Sequence, residues 1–204
     1  MKGMTKTIVF VCGVCGAGKT SVGRQLAEDF HAMPFLDADD YHSPASLEKL
    51  RRSVPLTDDD RGPWLERVAD AAEAAAASTT TTTTTTQGGN AVVVVVACSA
   101  LKSAYRVALR RRAAGCDVDF CLLDPPEGAL RARLEARGAP GAHALPDAAA
   151  ALQLLPSQLA ELERGGWSVV LEGEAALAPA REQARELARR LRERWGSWAG
   201  SYRG

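Results

Sequence analysis

The chain has 204 residues and no net formal charge, because 25 basic side chains balance 25 acidic ones. A neutral chain has no general attraction to nucleic acid or to a charged membrane surface, so the composition argues against both as partners. The five cysteines form no paired framework, and the sequence shows neither a signal-peptide pattern nor a membrane-spanning apolar run. These features predict a cytoplasmic protein with one domain over residues 1–204.

The first predicted strand leads directly into a glycine-rich loop. Residues 8–12, Ile-Val-Phe-Val-Cys, form a continuous apolar run that is typical of a buried parallel strand. Residues 13–20, Gly-Val-Cys-Gly-Ala-Gly-Lys-Thr, match the G-x-x-x-x-G-K-[ST] phosphate-binding pattern, and apolar residues at helical spacing follow. Backbone N–H groups and the positive end of the helix dipole then face one point, which suits a polyphosphate. The loop therefore predicts a nucleoside triphosphate site, with a chance glycine-rich turn as the alternative.

The pattern gives the loop residues their roles. Lys19 is expected to reach the β- and γ-phosphates of ATP, and the Thr20 hydroxyl is expected to ligate Mg²⁺. We interpret the C-x-x-C pair of Cys12 and Cys15 as coincidental, because no second pair completes a zinc site. Oxidation of Cys15 would nevertheless obstruct the phosphates. The predicted nucleotide-binding residues of the loop are Gly13, Val14, Cys15, Gly16, Ala17, Gly18, Lys19, Thr20 and Ser21.

Two aspartates come at the end of the second predicted strand, residues 34–37. Asp37 and Asp39 lie two residues apart in an extended segment and therefore face the same side. One carboxylate of such a pair can hold the hydration shell of Mg²⁺ while the other accepts the proton of an acceptor hydroxyl. The alternative is an acidic turn in which Asp40 caps the next segment.

Strands and helices alternate along the rest of the chain. Further strands are predicted over residues 91–97, 118–123 and 168–171, and helices over residues 47–53, 63–77, 101–113, 127–136, 151–163 and 179–195. This alternation predicts an α/β fold with three layers, a doubly wound parallel sheet of five strands, as in phosphate-loop nucleotide-binding proteins. Ligands of such sheets bind at the carboxyl ends of the strands.

A threonine-rich segment separates a predicted helix from the central strand. Residues 78–90 contain one serine and eight consecutive threonines, followed by Gln-Gly-Gly-Asn. The segment has no apolar periodicity and nothing to bury. We therefore predict a flexible surface insertion, with a threonine-rich edge strand as the alternative.

Several segments together resemble the gluconate kinases, small phosphate-loop kinases that are similar to shikimate and adenylate kinases. Residues 55–64 (P-L-x-D-x-D-R-x-P-W) and 97–102 (A-C-S-A-L-K) are the segments most specific to that family. The other segments that carry the resemblance are residues 13–21, 37–44, 105–106, 133–137, 143–146 and 155–163.

The resemblance implies transfer of the ATP γ-phosphoryl group to the terminal hydroxyl of D-gluconate, with Mg²⁺ as cofactor and 6-phosphogluconate as product. Asp37 would then orient the waters of Mg²⁺, and Asp39 would act as catalytic base. Arg133 and Arg137 resemble the lid arginines that clamp ATP phosphates, so a lid is predicted over about residues 137–150. Lys19 and Arg137 complete the implied catalytic set.

Gluconate carries a carboxylate and a row of hydroxyls, so its site needs fixed cations and hydrogen-bonding side chains. The residues implied to contact it are Asp39, His42, Arg61, Lys102, Arg106, His143 and Gln158. The chain departs from the family in having Cys15 where serine is common, and in a segment over residues 147–154 that has the character of an insertion.

Two other functions stay open at this point. One is a related small-molecule kinase for shikimate, a nucleoside monophosphate or another sugar acid, and the other is a nucleotide-binding module without catalysis. A homodimer is also left open. The sequence does not locate the contacts to the adenine base.

Overall fold

A computed structural model describes residues 5–30, 33–79, 91–136 and 148–195. Most of the threonine-rich segment, at residues 80–90, lies outside the described residues. So does the lid segment at residues 137–147, which includes Arg137 and His143, and the predictions for both segments stay predictions. Among the described helices, none combines the length and the apolar character that crossing a bilayer requires.

Five parallel strands form one sheet in the order β2-β3-β1-β4-β5. The strands are β1 (Thr5–Cys12), β2 (Phe35–Asp37), β3 (Ala91–Cys98), β4 (Asp117–Asp124) and β5 (Val169–Glu172). Each strand is followed by at least one helix, so the crossover connections cover the sheet on both faces. The predicted α/β class and the predicted number of strands are confirmed.

Apolar residues of β1 alternate between the two faces and so define the layers. Val9 and Val11 pack in the cluster that includes buried residues of the first and last helices. Ile8 and Phe10 pack in the opposite cluster, with the helices that follow β2 and β3. The helices are α1 (Lys19–Asp29), α2 (Pro44–Arg51), α3 (Asp58–Ser78), α4 (Ser103–Arg112), α5 (Glu127–Glu135), α6 (Ala148–Glu161), α7 (Gly173–Leu177) and α8 (Ala180–Trp195).

The register of the sheet brings the strand ends to one level. Cys12 lies opposite Cys98 on one side and opposite Leu122 on the other, and Asp37 lies opposite Ala97. The loops that follow β1, β2 and β3 therefore leave the sheet side by side, at the carboxyl edge where ligands of such sheets bind.

Helix α3 begins at Asp58, earlier than the predicted residue 63, because a capping box starts it. The Thr57 hydroxyl accepts from the Asp60 N–H at 3.2 Å, and the Asp60 carboxylate accepts from the Thr57 N–H at 2.9 Å. Lys49 also donates to Asp60 at 2.7 Å, and these bonds lower the pKa of Asp60 to about 2. The early start places Arg61 inside the first turns of a helix rather than in a loop.

Three other elements differ from the prediction. Residues Ala38–Tyr41 form a turn of 3-10 helix that was not predicted, and neither was the short helix α7. Helix α6 starts at Ala148 and ends at Glu161, so residues 148–154, interpreted as inserted, are its first turns.

We expect Thr57→Ala to lower the free energy of unfolding by about 1 kcal/mol, the usual loss when a capping hydroxyl is removed. Chemical denaturation of the purified variant measures it. Ser78→Ala, at the other end of α3, is the matched control, because the Ser78 hydroxyl bonds only to carbonyls of its own helix at Ala74 and Ala75 among the described residues. Equal stability of the two variants would mean that the capping box does not hold the start of α3.

Candidate active site

The loop after β1 approaches β4 so closely that only glycine fits at its first position. A Cβ on Gly13 would lie 2.7 Å from the Leu123 carbonyl oxygen and 2.8 Å from the Ala17 Cβ. Gly16 and Gly18 have φ values of 79° and 95°, a conformation that favours glycine. Helix α1 then begins at Lys19, so the loop's N–H groups and the helix terminus share one concave space.

The polar side chains at the start of α1 are held by neighbours within the site. Lys19 Nζ donates to the Val14 carbonyl oxygen at 3.1 Å. Thr20 Oγ1 donates to Asp37 Oδ2 at 2.8 Å, which ties α1 to the end of β2. A hydroxyl and a carboxylate at this separation are oxygen donors of the kind that Mg²⁺ prefers. The pair therefore fits the predicted role of metal site.

Asp37 ends β2, but Asp39 lies in the 3-10 turn Ala38–Tyr41 rather than in the extended segment that the sequence predicted. The other oxygen of Asp37 accepts from the Asp39 N–H at 3.2 Å and so caps the 3-10 turn. Asp39 Oδ1 lies 3.9 Å from His42 Nε2, and the Asp39 side chain is about one third exposed. The turn thus fixes one carboxylate toward Thr20 and leaves the other at the edge of a cavity.

His42 is buried against an aromatic ring that sequence reasoning gave no role. Its imidazole stacks on Trp64 with ring centroids 4.6 Å apart, and only 5% of the His42 side chain is exposed. Trp64 Nε1 donates to the Ala38 carbonyl oxygen at 2.7 Å, which fixes the indole under the 3-10 turn. Burial, followed by the charges of Arg67 and Arg61, lowers the pKa of His42 to about 4. His42 is therefore a neutral hydrogen-bonding group near pH 7, and its buried Nδ1 has no hydrogen-bond partner.

A cavity of about 60 Å³ lies between these residues and the phosphate loop. It brings together four predicted acceptor residues and two predicted nucleotide residues, with Trp64, Ser99 and two leucines that had no predicted role. Its lining residues are Cys15, Lys19, Asp39, His42, Leu50, Leu56, Arg61, Trp64, Ser99 and Gln158. Trp64 lies in residues 55–64 and Ser99 in residues 97–102, the two segments most specific to the family that the sequence resembles. Their place in those segments was the signal that could have identified them as site residues.

Arg61 and Lys102 belong to one network of paired charges. Arg61 Nη1 donates to Tyr105 Oη at 2.7 Å and lies 2.9 Å from Glu161 Oε2. Lys102 Nζ donates to Asp58 Oδ1 at 2.6 Å, and Tyr105 donates to the same carboxylate. Burial alone would lower the pKa of Arg61, but the bonds to Glu161 and Tyr105 outweigh it and raise the pKa. This network joins α3, α4 and the end of α6.

Arg106 is directed away from the acceptor cavity. Its guanidinium donates to the carbonyl oxygens of Ala100, Leu101 and Gly165 and stacks on Trp167 at 3.9 Å. The residue is 3% exposed. This geometry favours a structural role for Arg106. It does not favour the predicted contact with gluconate, which stays a prediction.

Gln158 reaches from α6 into the phosphate loop. Its Oε1 accepts from the Cys15 N–H at 2.6 Å, across 143 positions of sequence. Cys15 Sγ lies 3.4 Å from the Ala151 carbonyl oxygen on the same helix. Cys12 is fully buried, and burial raises the pKa of its thiol to about 12. Cys12 therefore lacks the accessible thiolate that redox chemistry requires.

A second and larger cavity, of about 460 Å³, lies on the other side of the phosphate loop. Arg133 lines it and donates to the Ala176 carbonyl oxygen at 2.9 Å. Gln183 also lines it; its amide nitrogen donates to Ala176 and Ala178, and its Oε1 is buried without a partner. Helix α7 and the start of α8 form one wall of this larger cavity. No pattern in the sequence predicted that these elements would line it.

Fold and site together define a phosphate-loop kinase that acts on a small molecule. A phosphate loop, a paired carboxylate at the next strand end and a separate polar cavity are the parts that phosphoryl transfer requires. Comparison with known proteins then narrows the class.

A family model described as an AAA domain matches residues 8–155. The gluconokinase of Arabidopsis thaliana is 31% identical over 184 residues, covering 86% of this chain and 88% of the relative. That of Gluconobacter oxydans is 35% identical over 166 residues, covering 80% and 79%. A crystal structure of a gluconokinase from Sinorhizobium meliloti superposes with a TM-score of 0.72 at 29% identity, covering 98% of this chain and all of that one. This chain belongs to the gluconokinase family.

We expect the stability of the protein to fall as the pH decreases from about 6.5 to about 4, in part because of His42. Unfolded His42 takes up a proton near its ordinary pKa of 6.5, whereas folded His42 resists protonation until about 4. The unfolded state therefore binds more protons in this window, which favours unfolding. In His42→Asn this contribution is absent, so the difference in melting temperature between wild type and variant should shrink from pH 8 to pH 4. A difference that is independent of pH would contradict the depressed pKa.

Proposed function

We propose that this chain transfers the γ-phosphoryl group of ATP to the terminal hydroxyl of D-gluconate. The observation that supports it most directly is the cavity that Lys19 of the phosphate loop and Asp39 both line. A phosphate-binding cation and a basic carboxylate at one cavity are what phosphoryl transfer to an alcohol requires. Membership of the gluconokinase family supplies the acceptor.

ATP is proposed to lie along the loop, with its base in the larger cavity beside Arg133 and Gln183. Lys19 would exchange the Val14 carbonyl oxygen for phosphate oxygens, a favourable exchange because a phosphate is a stronger acceptor than an amide. Thr20 and Asp37 would hold Mg²⁺, which supplies neutralisation of phosphate charge when bound. Arg133 of α5 would face the nucleotide, and Arg137, which lies outside the described residues, is its predicted partner.

The acceptor chain is proposed to fill the smaller cavity. Asp39 accepts the proton of the attacking hydroxyl, and neutral His42 is suited to bond a further hydroxyl rather than an anion. Trp64 presents an apolar face beside these polar groups, a combination that is common in sites for polyhydroxylated ligands. Arg61 is the lining cation that can meet the gluconate carboxylate.

A panel of acceptors tests the proposal. Release of ADP is measured with ATP and Mg²⁺ against gluconate, other sugar acids, shikimate and nucleoside monophosphates at equal concentrations. Gluconate is expected to give the highest kcat/KM, with 6-phosphogluconate as product. A higher kcat/KM with shikimate or a nucleotide would overturn the proposal, and ADP release that is independent of every acceptor would point to a module without acceptor chemistry.

Asp39→Asn is expected to lower kcat by about 10²–10⁴-fold, the usual effect of losing a general base, with little change in ATP affinity. The amide keeps the shape and an acceptor oxygen but cannot take the proton. Asp37→Asn is expected instead to raise the Mg²⁺ concentration required for half-maximal rate, since Asp37 bonds Thr20.

The exposed neighbour Asp40 provides the matched control, and Asp40→Asn should retain normal rates. Steady-state kinetics with varied gluconate, ATP and Mg²⁺ separate the three variants. Normal turnover by Asp39→Asn together with loss of turnover by Asp40→Asn would show that the base is the other carboxylate. A cytoplasmic location and a homodimer stay predictions.

A further inference from the structure

The last turn of α6 contacts residues of both proposed substrate subsites. Gln158 Oε1 occupies the Cys15 N–H at 2.6 Å, and backbone N–H groups of a phosphate loop are the donors that phosphate oxygens need. Glu161 Oε2 lies 2.9 Å from Arg61, the cation proposed to meet the acceptor carboxylate. Each side chain thus supplies an oxygen where a substrate oxygen is expected.

These two side chains are close together on one helix. Gln158 and Glu161 are three residues apart and therefore share a face of α6. One connects to the nucleotide subsite and the other to the acceptor subsite. A shift of this single turn changes both contacts together.

The chain on either side of this turn is anchored, and the turn itself contacts the core through the partly buried Leu159. The buried residues of α6 are Ala150, Ala151, Leu154 and Leu155, all before the turn. Pro156 has no N–H for the carbonyl of the preceding turn, which weakens the helix at the junction.

After the turn, Glu163 accepts from the Ser103 N–H at 2.7 Å and donates its own N–H to Leu101 at 3.2 Å. Residues 156–161 therefore form a short segment between two fixed points, with partly buried Leu159 but no fully buried residue in this part of the described helix. Such a segment has a low free-energy cost of local displacement.

The size of the acceptor cavity makes a displacement necessary. At about 60 Å³ it is well below the roughly 300–1,000 Å³ of most small-molecule sites. Gln158 lines this cavity. An acceptor of the size of gluconate therefore needs lining side chains to move, and Gln158 is one of those side chains.

We propose that Gln158 and Glu161 are positioning residues that couple the two substrates, so that ATP and gluconate each bind more tightly when the other is bound. The first substrate displaces the turn and breaks both internal contacts, and the second then binds without that cost. The coupling is reciprocal, as linkage requires. The inference rests on the proposed function, since it takes gluconate as the acceptor.

Calorimetric titration of the intact chain with gluconate, with and without a saturating non-hydrolysable ATP analogue and Mg²⁺, tests the coupling. Wild type is expected to bind gluconate about tenfold more tightly with the analogue present, within the usual range of coupling between sites. Equal affinities with and without the analogue would overturn the inference. Absence of gluconate binding and turnover under both conditions would instead mean that the proposed function has failed.

Glu161→Gln separates coupling from simple contact. The amide keeps the size of the side chain but removes the negative charge that pairs with Arg61. Gluconate alone should therefore bind to the variant several-fold more tightly than to wild type. The ratio of gluconate affinities with and without the ATP analogue should fall toward one. A residue that merely supports the site would weaken gluconate binding when changed, and that result would overturn the inference. Asp70→Asn, which removes the exposed ion pair to Arg112 on α3 and α4, is the matched control and should keep wild-type coupling.

Gln158→Ala provides an independent test from the nucleotide side. With Gln158 shortened, the Cys15 N–H is available to phosphate, so the ATP analogue alone should bind more tightly than to wild type. Unchanged or weaker binding of the analogue would overturn the assignment of Gln158. Melting temperatures confirm that each variant is folded, and if Glu161→Gln is not, Gln158→Ala still decides the proposal.

Discussion

The site depends on neighbouring strands of the sheet ending at the same level. Because β1 pairs in register with β3, Cys12 and Cys98 lie side by side and both strands end there, whereas β4 continues past Leu122 to Asp124. The short strand β2 joins with Asp37 opposite Ala97, which brings its carboxylate within 2.8 Å of the Thr20 hydroxyl. A slip of one residue in the pairing of β2 with β3 would turn Asp37 to the other face of the sheet.

The elements that the sequence predicted best are those whose signal is local. The apolar run of β3 and the helical spacing of α8 report burial directly, and the loop of residues 13–20 has a fixed pattern of residue types. The start of α3 was missed because its signal is a cap at Thr57 that precedes the apolar spacing. The 3-10 turn after Asp37 was missed because an acidic, polar stretch has no periodicity to read.

The site was predicted less completely, because much of it is made by contacts between distant residues. Gln158 meets Cys15 across 143 positions, and no local pattern reveals that its amide oxygen accepts a hydrogen bond from the phosphate loop. Arg61 and Arg106 are the same residue type in adjacent family segments, yet one lines the cavity and the other is enclosed by carbonyl oxygens. Residue type indicates what a side chain can do, whereas burial decides what it is available for.

The two halves of the site therefore recognise their ligands by different physics. On the acceptor side, Arg61 and Lys102 are paired with Glu161 and Asp58, and His42 is neutral. On the nucleotide side, Lys19 bonds a neutral carbonyl and keeps its full charge for phosphate. Phosphate binding can then rely on attraction, while the acceptor must match hydrogen bonds and exchange one carboxylate for another. Such an exchange selects for shape and hydroxyl pattern more than for charge, because the charge was already paired before the acceptor arrived.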